Sequence, residues 1–230
     1  MTPSPASGLS RELVLQALRS PRGRYEAERA SQLSGIPKST IYDWRRAGVF
    51  APDFAGANPM AWSYRDLIYL RLLAWLRGRG MDRPYASDLV LAIRQEIQSG
   101  DRVDKIRTDG RIILRDQEAI SRYSGENVFP LDEVLAMFSE FDLLEPIKEL
   151  GDRPLWGPNL VNPSAFTFIS PWVMAGEPCV NESRIATSSL YALHTERGLS
   201  AESVVRLYPS LDSEAVSDAW NLERRLRRAA

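Results

Sequence analysis

Lys38, Ser39, Tyr42, Asp43 and Arg46 recur at helical spacing along the stretch 38–46. Ile41 and Trp44 are three apart, so they share the opposite face and point back into the protein. The exposed face thus carries cations together with short hydrogen-bonding side chains. Those residue types reach phosphate oxygens and base edges in duplex DNA. Thr40 and Arg45 from the same helix, and Trp62 and Arg65 beyond it, complete the candidate DNA-binding set. Trp62 has two readings, a residue that faces DNA or a plug in the core. Tyr42 is placed for base contact, with packing as the alternative.

The chain offers little for catalysis. One cysteine, Cys179, and one histidine, His194, leave no internal disulfide and no Cys/His zinc site. No phosphate-cradling glycine loop, nucleophile elbow or metal motif is present. Asp132 and Glu133 are adjacent on an expected helix and so point in different directions. No enzyme activity and no cofactor are expected.

Charge divides the chain. Residues 1–100 carry 14 Lys+Arg and 9 Asp+Glu, a balance of +5, whereas residues 101–230 carry 15 and 21, a balance of −6. The first part suits a polyanion and the second would be repelled by one. The apolar run LIYLRLLAWL is interrupted by Arg71, so no membrane span is expected. The start, MTPSPASGLS, has neither a basic segment nor an apolar core, and a cytoplasmic location is expected.

The elements that must hold the candidate face follow from pattern. Ala27, Ala30 and Leu33 give a first helix its buried stripe, and Gly35 ends it in a left-handed turn. Pro37 opens the second helix. Between Gly48 and Ala61 prolines and glycine predict a loop or loose β-hairpin. Ser63 and Asp66 form a capping box for a strongly buried helix through Leu67, Leu70, Trp75 and Leu76. A further helix is predicted over Ser87–Ile97 and a short one over Leu9–Leu18. Asp109-Gly110 predicts a hairpin turn, and Leu131–Leu150 an acidic helix. Residues 151–166 read as a linker or docking arm. Short strands at FTFIS and GEPCV lead to helices at Ser188–Arg197, after Ser200 and after Asp212, a second helix–turn–helix outline. The expected fold is mainly α with small β-hairpins. Its expected domains are residues 1–100, a connector over 101–150, and 151–230.

Two stretches carry a resemblance. LSGIPKSTIYDW, the GVF that follows and the W…DL…L…L helix resemble the winged helix-turn-helix of MerR-like regulators. That resemblance implies a recognition helix in the major groove and a wing on the flanking backbone. Ser31 stands where the family has a buried alanine, and Met60 where the wing has an arginine. VMAGEPCVNESRIATSSL and GLSAESVVRLYPSLDSEAVSDAW resemble a domain of unknown function found in antitoxins paired with PIN-domain ribonuclease toxins. Glu182-Ser183-Arg184 stands in place of that family's Gly-Thr-Arg, while the LYP-x-L run from Leu207 to Leu211 is intact. Together they resemble a two-domain VapB-type antitoxin, with a winged-helix-like antitoxin domain at the C-terminus.

The expected partners are therefore the duplex DNA of its own operator and a PIN-domain ribonuclease toxin. Arg184 or the basic tail Arg224-Arg225-Leu226-Arg227-Arg228 could enter the carboxylate cluster of such a toxin, with a solvated helix end as the other reading of the tail. Tyr208, Trp220 and Leu226 are candidate apolar anchors, with core packing as the alternative. A homodimer is expected, held by Leu131–Leu150 and the final helix. The competing reading is a stand-alone regulator whose C-terminal half senses a ligand.

Overall fold

Strand β1 (Tyr25–Glu26) runs directly into helix α1 (Ala27–Ser34), and helix α2 (Lys38–Arg46) follows after a tight turn. The computed structural model describes residues 17–78, 82–99, 107–108, 113–114, 129–130, 147–150, 153–181 and 183–229. Gly35 takes the left-handed conformation at φ 76° and donates its N–H to the Ser31 carbonyl. Ser31 then has a use that alanine could not serve. Its hydroxyl donates to the Ile36 carbonyl at 2.8 Å and closes the turn from inside the core. Ile41 and Trp44 are the buried residues of α2, packed with Ala30, Leu33 and Ile36 of the preceding segment.

Strand β2 (Ala61–Trp62) pairs antiparallel with β1, placing Tyr25 opposite Trp62. An isolated bridge from Phe54 to Ala61 folds loop 51–60 back on itself. The capping box forms as its residues predict: the Ser63 N–H donates to Asp66 Oδ2 at 2.8 Å and the Asp66 N–H to Ser63 Oγ at 3.2 Å. Helix α3 (Tyr64–Gly78) lies in the centre of the core. Helix α4 (Arg83–Ser99) starts four residues before its expected position and packs on α3.

Arg71, which interrupts the apolar run of α3, is fully buried. Its guanidinium donates to the carbonyls of Leu33 at 2.6 Å, Ser34 at 3.2 Å and Pro158 at 2.5 Å. The last carbonyls of a helix lack intrahelical donors and carry the negative end of its dipole. A buried cation at that place is therefore matched, and it joins α1, α3 and the 158 segment in one contact.

Further along, β3 (Arg107–Thr108) and β4 (Ile113–Leu114) pair antiparallel around the expected turn, with β5 (Phe129–Pro130) on the other side of β3. The acidic helix expected over Leu131–Leu150 lies outside the described residues except at its end. There the chain is a strand instead, β6 (Ile147–Leu150), paired with β7 (Arg153–Gly157). Residues 158–160 then dock on α3, where the Tyr64 hydroxyl donates to the Leu160 carbonyl at 2.9 Å. The docking reading of this arm holds, and its first part is a strand. Of the Leu9–Leu18 helix only residues 17–19 are described as helical, and the rest lies outside the described residues.

The C-terminal unit pairs β8 (Thr167–Phe168) with β9 (Cys179–Val180) and adds α5 (Thr187–Arg197), α6 (Ala201–Leu207) and α7 (Ser213–Ala229). Gly198 ends α5 at φ 65°, Ser200 Oγ accepts from the Ser203 N–H, and Asp212 Oδ1 accepts from the Ala215 N–H. A second apolar cluster gathers Val180, Leu190, Val204, Leu211, Val216 and Trp220. The described architecture is mainly helical with small antiparallel β-pairs, as expected. No helix among the described residues is long and apolar enough to cross a membrane.

The boundary between the expected domains is not a gap. Leu222 and Leu226 of α7, with Leu160 and Ile169, belong to the N-terminal apolar cluster. Arg29 of α1 lies 2.7 Å from Glu223 of α7 and 2.9 Å from Glu177. Glu223 is fully buried and also accepts from the Thr187 hydroxyl at 2.6 Å. Burial opposes the charge on both partners, yet Glu223 stays below and Arg29 above the ordinary value, because each sits against the other's charge and hydrogen bonds. The apolar face of α7 is consumed within the chain, which removes it as the expected dimer surface.

Removing one member of a buried pair strands the other charge. Arg29→Ala is expected to cost about 3–5 kcal/mol. The double change Arg29→Met with Glu223→Leu should recover most of it. Chemical denaturation of the single and double variants reads the difference, and equal stability of wild type and Arg29→Ala would show that the pair does not hold the units together. Trp44→Ala, which empties the space between α1 and α2, should likewise cost about 3–5 kcal/mol.

Candidate nucleic-acid interface

Helix α2 is divided as its spacing predicts. Lys38, Ser39, Tyr42, Asp43, Arg45 and Arg46 are exposed, and Thr40 is half-buried. Trp44 and Ile41 face the core. Two of the cations are already paired: Lys38 Nζ lies 2.8 Å from Glu28, and Arg46 contacts Asp43 within its own helix. Exposed pairs of this kind are worth roughly 0–1 kcal/mol, so a phosphate can displace either carboxylate. Arg45 has no ion-pair partner among the described residues.

The loop before β1 extends this face. Arg22 and Arg24 are both exposed. Arg24 Nη2 reaches the Pro59 carbonyl of loop 51–60 at 3.5 Å. The Arg22 carbonyl accepts from the Tyr64 N–H at 2.7 Å, which fixes the loop against the start of α3. Ala55, Gly56, Asn58 and Pro59 form the exposed tip of loop 51–60.

Two expected contacts fail. Trp62 is wholly buried, with Tyr42 standing edge-on to it at a centroid distance of 6.1 Å. It is the core plug, and it supports Tyr42 from behind. Arg65 is 5% exposed and spends its guanidinium on Asp53, at 2.7 and 2.6 Å, and on the Leu18 carbonyl at 3.2 Å. Neither can reach a phosphate. Their positions in sequence match the expected contacts, but Trp62 sits in the core behind Tyr42 and Arg65 is held by Asp53 of loop 51–60.

Arg65 instead belongs to a charged network at the root of that loop. Asp53 contacts Arg65 and Arg94, and accepts from the Ser63 hydroxyl at 2.5 Å. Asp66 Oδ2 accepts the N–H groups of Asp53 and Ser63. Its Oδ1 accepts no hydrogen bond and lies 3.5 Å from Arg94. Burial, and then the charge of Asp53, push the Asp66 carboxyl up to about 6. Burial would also raise Asp53, but Arg65, Ser63 and Arg94 hold it below the usual aspartate value. The loop is thus tied to α3 and α4 by charges that water does not reach.

The candidate toxin contacts separate by burial. Trp220 and Leu226 are core residues, and Trp220 Nε1 donates to the Leu190 carbonyl at 2.9 Å. They cannot anchor a partner. His194 stacks on Trp220 at 4.1 Å and is half-buried, not a plain surface residue. Arg184 is exposed and Tyr208 half-buried, so both remain accessible. Leu207, beside Tyr208, is 59% exposed, the most open large apolar side chain described. Sequence reasoning missed it because helical pattern alone makes a leucine in an intact motif look like core. The basic tail is engaged in part: Arg225 lies over the Trp156 ring at 4.3 Å, and Arg227 lies over Tyr191 and contacts Glu223, while Arg224 and Arg228 are exposed.

An acid whose folded pKa is raised stabilises the fold only while it is protonated. The Asp66 contribution is therefore present below about pH 4 and lost as the pH rises through about 6, on the order of 3 kcal/mol. Asp66→Asn keeps an acceptor for the two backbone N–H groups and removes the titration. Its stability, measured by denaturant across that range, should rise relative to wild type as the pH increases. Parallel profiles for the two proteins would refute the assignment.

Residues 169–221 match a family described as a protein of unknown function, DUF433. No curated protein and no solved structure matches the chain. The matched span covers most of the second apolar cluster and ends within α7, just before Glu223. A DUF433 domain therefore occupies residues 169–221, and Arg29 of α1 meets Glu177 inside that span and Glu223 just beyond it.

Proposed function

We propose that this chain is a DNA-binding antitoxin. In this reading α1, α2 and loop 51–60 act as a MerR-like winged helix-turn-helix on the operator of its own operon. The unit containing residues 169–221 binds and neutralises a PIN-domain ribonuclease toxin. The observation that carries the DNA-binding half is the division of α2. One face is locked into the core by Ile41 and Trp44, and the other presents Lys38, Ser39, Tyr42, Arg45 and Arg46 to solvent. The toxin half is supported by the DUF433 match, which is the domain kind that the C-terminal motifs resemble. With Trp220 and Leu226 in the core, the proposed toxin-facing surface is Arg184 with Leu207 and Tyr208.

A second reading is favoured by the Arg29 contacts. α7 and Glu177 meet α1 directly, so one short helix separates the C-terminal unit from α2. A ligand-sensing regulator needs that coupling, and it needs no toxin.

A net of few free cations implies weak binding by one copy, so a homodimer on a two-fold operator remains the proposed form. Ser39→Ala and Arg45→Ala should leave melting unchanged and weaken operator binding by about 1–3 kcal/mol where a base contact is lost. Affinity of the wild type should fall with salt at roughly 0.9 log units per log unit for each phosphate neutralised. A mobility shift on the DNA upstream of its reading frame measures both. Co-expression with a neighbouring PIN-type protein tests the other half. Rescue of growth that survives Ser39→Ala with Arg45→Ala but fails on Leu207→Asp supports the antitoxin. No complex with such a protein, together with a saturable thermal shift by a small molecule, hands the chain to the regulator reading.

A further inference from the structure

We propose that the turn at residues 171–176, supplied by the DUF433 unit, is a further edge of the DNA interface and seats Trp172 and Met174 on the duplex beside phosphates held by Arg22 and Arg24. This inference rests on the DNA-binding reading of α2 above.

The large apolar side chains exposed among the described residues are Tyr42, Trp172, Met174 and Leu207. Two of them stand in this one turn, at 41% and 47% exposure. The backbone holds them there at a cost. Met174 and Ala175 have φ of 47° and 54°, a region where a side chain costs on the order of 1–2 kcal/mol. Three contacts lock the turn to the N-terminal unit. The Arg24 N–H donates to the Ala175 carbonyl at 2.9 Å, the Tyr25 hydroxyl donates to the Gly176 carbonyl at 2.8 Å, and Arg29 holds Glu177. Gly176, at φ 88°, sits so close that a Cβ would lie 1.9 Å from the Tyr25 hydroxyl.

Two buried aromatics and Arg24 tie the turn to the unit that carries α2. Tyr25 pairs with Trp62 across the sheet, and Trp62 backs Tyr42. Arg24 touches both the turn, through its N–H, and loop 51–60, through its guanidinium. An indole and a thioether beside the exposed Arg24, with the exposed Arg22 two residues away in sequence, fit a polyanion whose sugars and base-stacking faces are apolar. Proteins that grip the minor groove use this pairing of Arg with an apolar wedge. The acid nearest in sequence, Glu177, is turned toward Arg29, a partner it shares with Glu223.

The test uses the full chain and short fluorescent duplexes selected by the wild type from a random-sequence pool. Trp172→Ala with Met174→Ala should melt like wild type, bind about tenfold more weakly and keep the salt dependence, because no cation is lost. Its hydroxyl-radical footprint should shorten at one end. Benzoylphenylalanine placed at Trp172 should crosslink to the duplex, which reads the contact without truncating the side chain. Wild-type affinity and footprint with no crosslink to DNA, while Ser39→Ala with Arg45→Ala still weakens binding, would overturn this inference and leave the α2 reading standing. A crosslink to a co-expressed toxin instead of DNA would also overturn it. Selection of no duplex at all by the wild type would overturn both.

Discussion

A charge taken out of water must be met where it arrives, and Arg29 is where this fold meets that requirement. Glu223, wholly buried, is acceptable because the guanidinium of Arg29, the hydroxyl of Thr187 and Arg227 of its own helix surround it. Arg29 belongs to α1, Thr187 to α5 and Glu223 to α7. The three elements cannot separate without leaving a carboxylate stranded in an apolar core. This pairing joins the C-terminal unit to the N-terminal one together with the Tyr25–Gly176 and Arg24–Ala175 hydrogen bonds, and Leu222 and Leu226 belong to the same apolar cluster as α1.

The same logic recurs at the other end of α1 and at the root of loop 51–60. Arg71 enters the core to meet the carbonyls at the end of α1 and the one at Pro158. Arg65 and Arg94 close on Asp53. Each is an arginine, whose planar fork can satisfy several acceptors at once. These residues make the scaffold rigid and leave the exposed cations to α2 and the loop before β1. The charge excess of residues 1–100 is thus partly structural, because Arg29, Arg65, Arg71 and Arg94 all face inward.

This arrangement bears on how the two proposed binding tasks would share one chain. Separate domains on a linker would leave DNA reading and partner capture independent. Here α1, the support of α2, carries Arg29 on its C-terminal-facing side and Ala30 and Leu33 on its core side. A partner that moves α7 or Glu177 changes what α1 rests on. Coupling between the two proposed sites would pass through this one short helix and act in both directions.

The local features were legible in the sequence because they depend on neighbours in the chain. Gly35, the Ser63–Asp66 capping box, the strand pair at 107–114, Gly198 and the caps at Ser200 and Asp212 each need only a few residues to specify them. The split of α2 into a core face and an exposed face followed from helical periodicity alone. What required the tertiary structure was every question of what covers what. Trp62 and Arg65 have the types and positions expected of DNA contacts, yet Trp62 packs in the core behind Tyr42 and Asp53 holds Arg65. Trp220 and Leu226 have the types of interface anchors, yet α7 lies on α1 and α5 and consumes them. The strand at 147–150 also escaped pattern reading, because its partner at 153–157 is what makes it a strand. Burial and long-range pairing are properties of pairs of distant segments, such as Arg29 with Glu223, and no local pattern in the sequence encodes them.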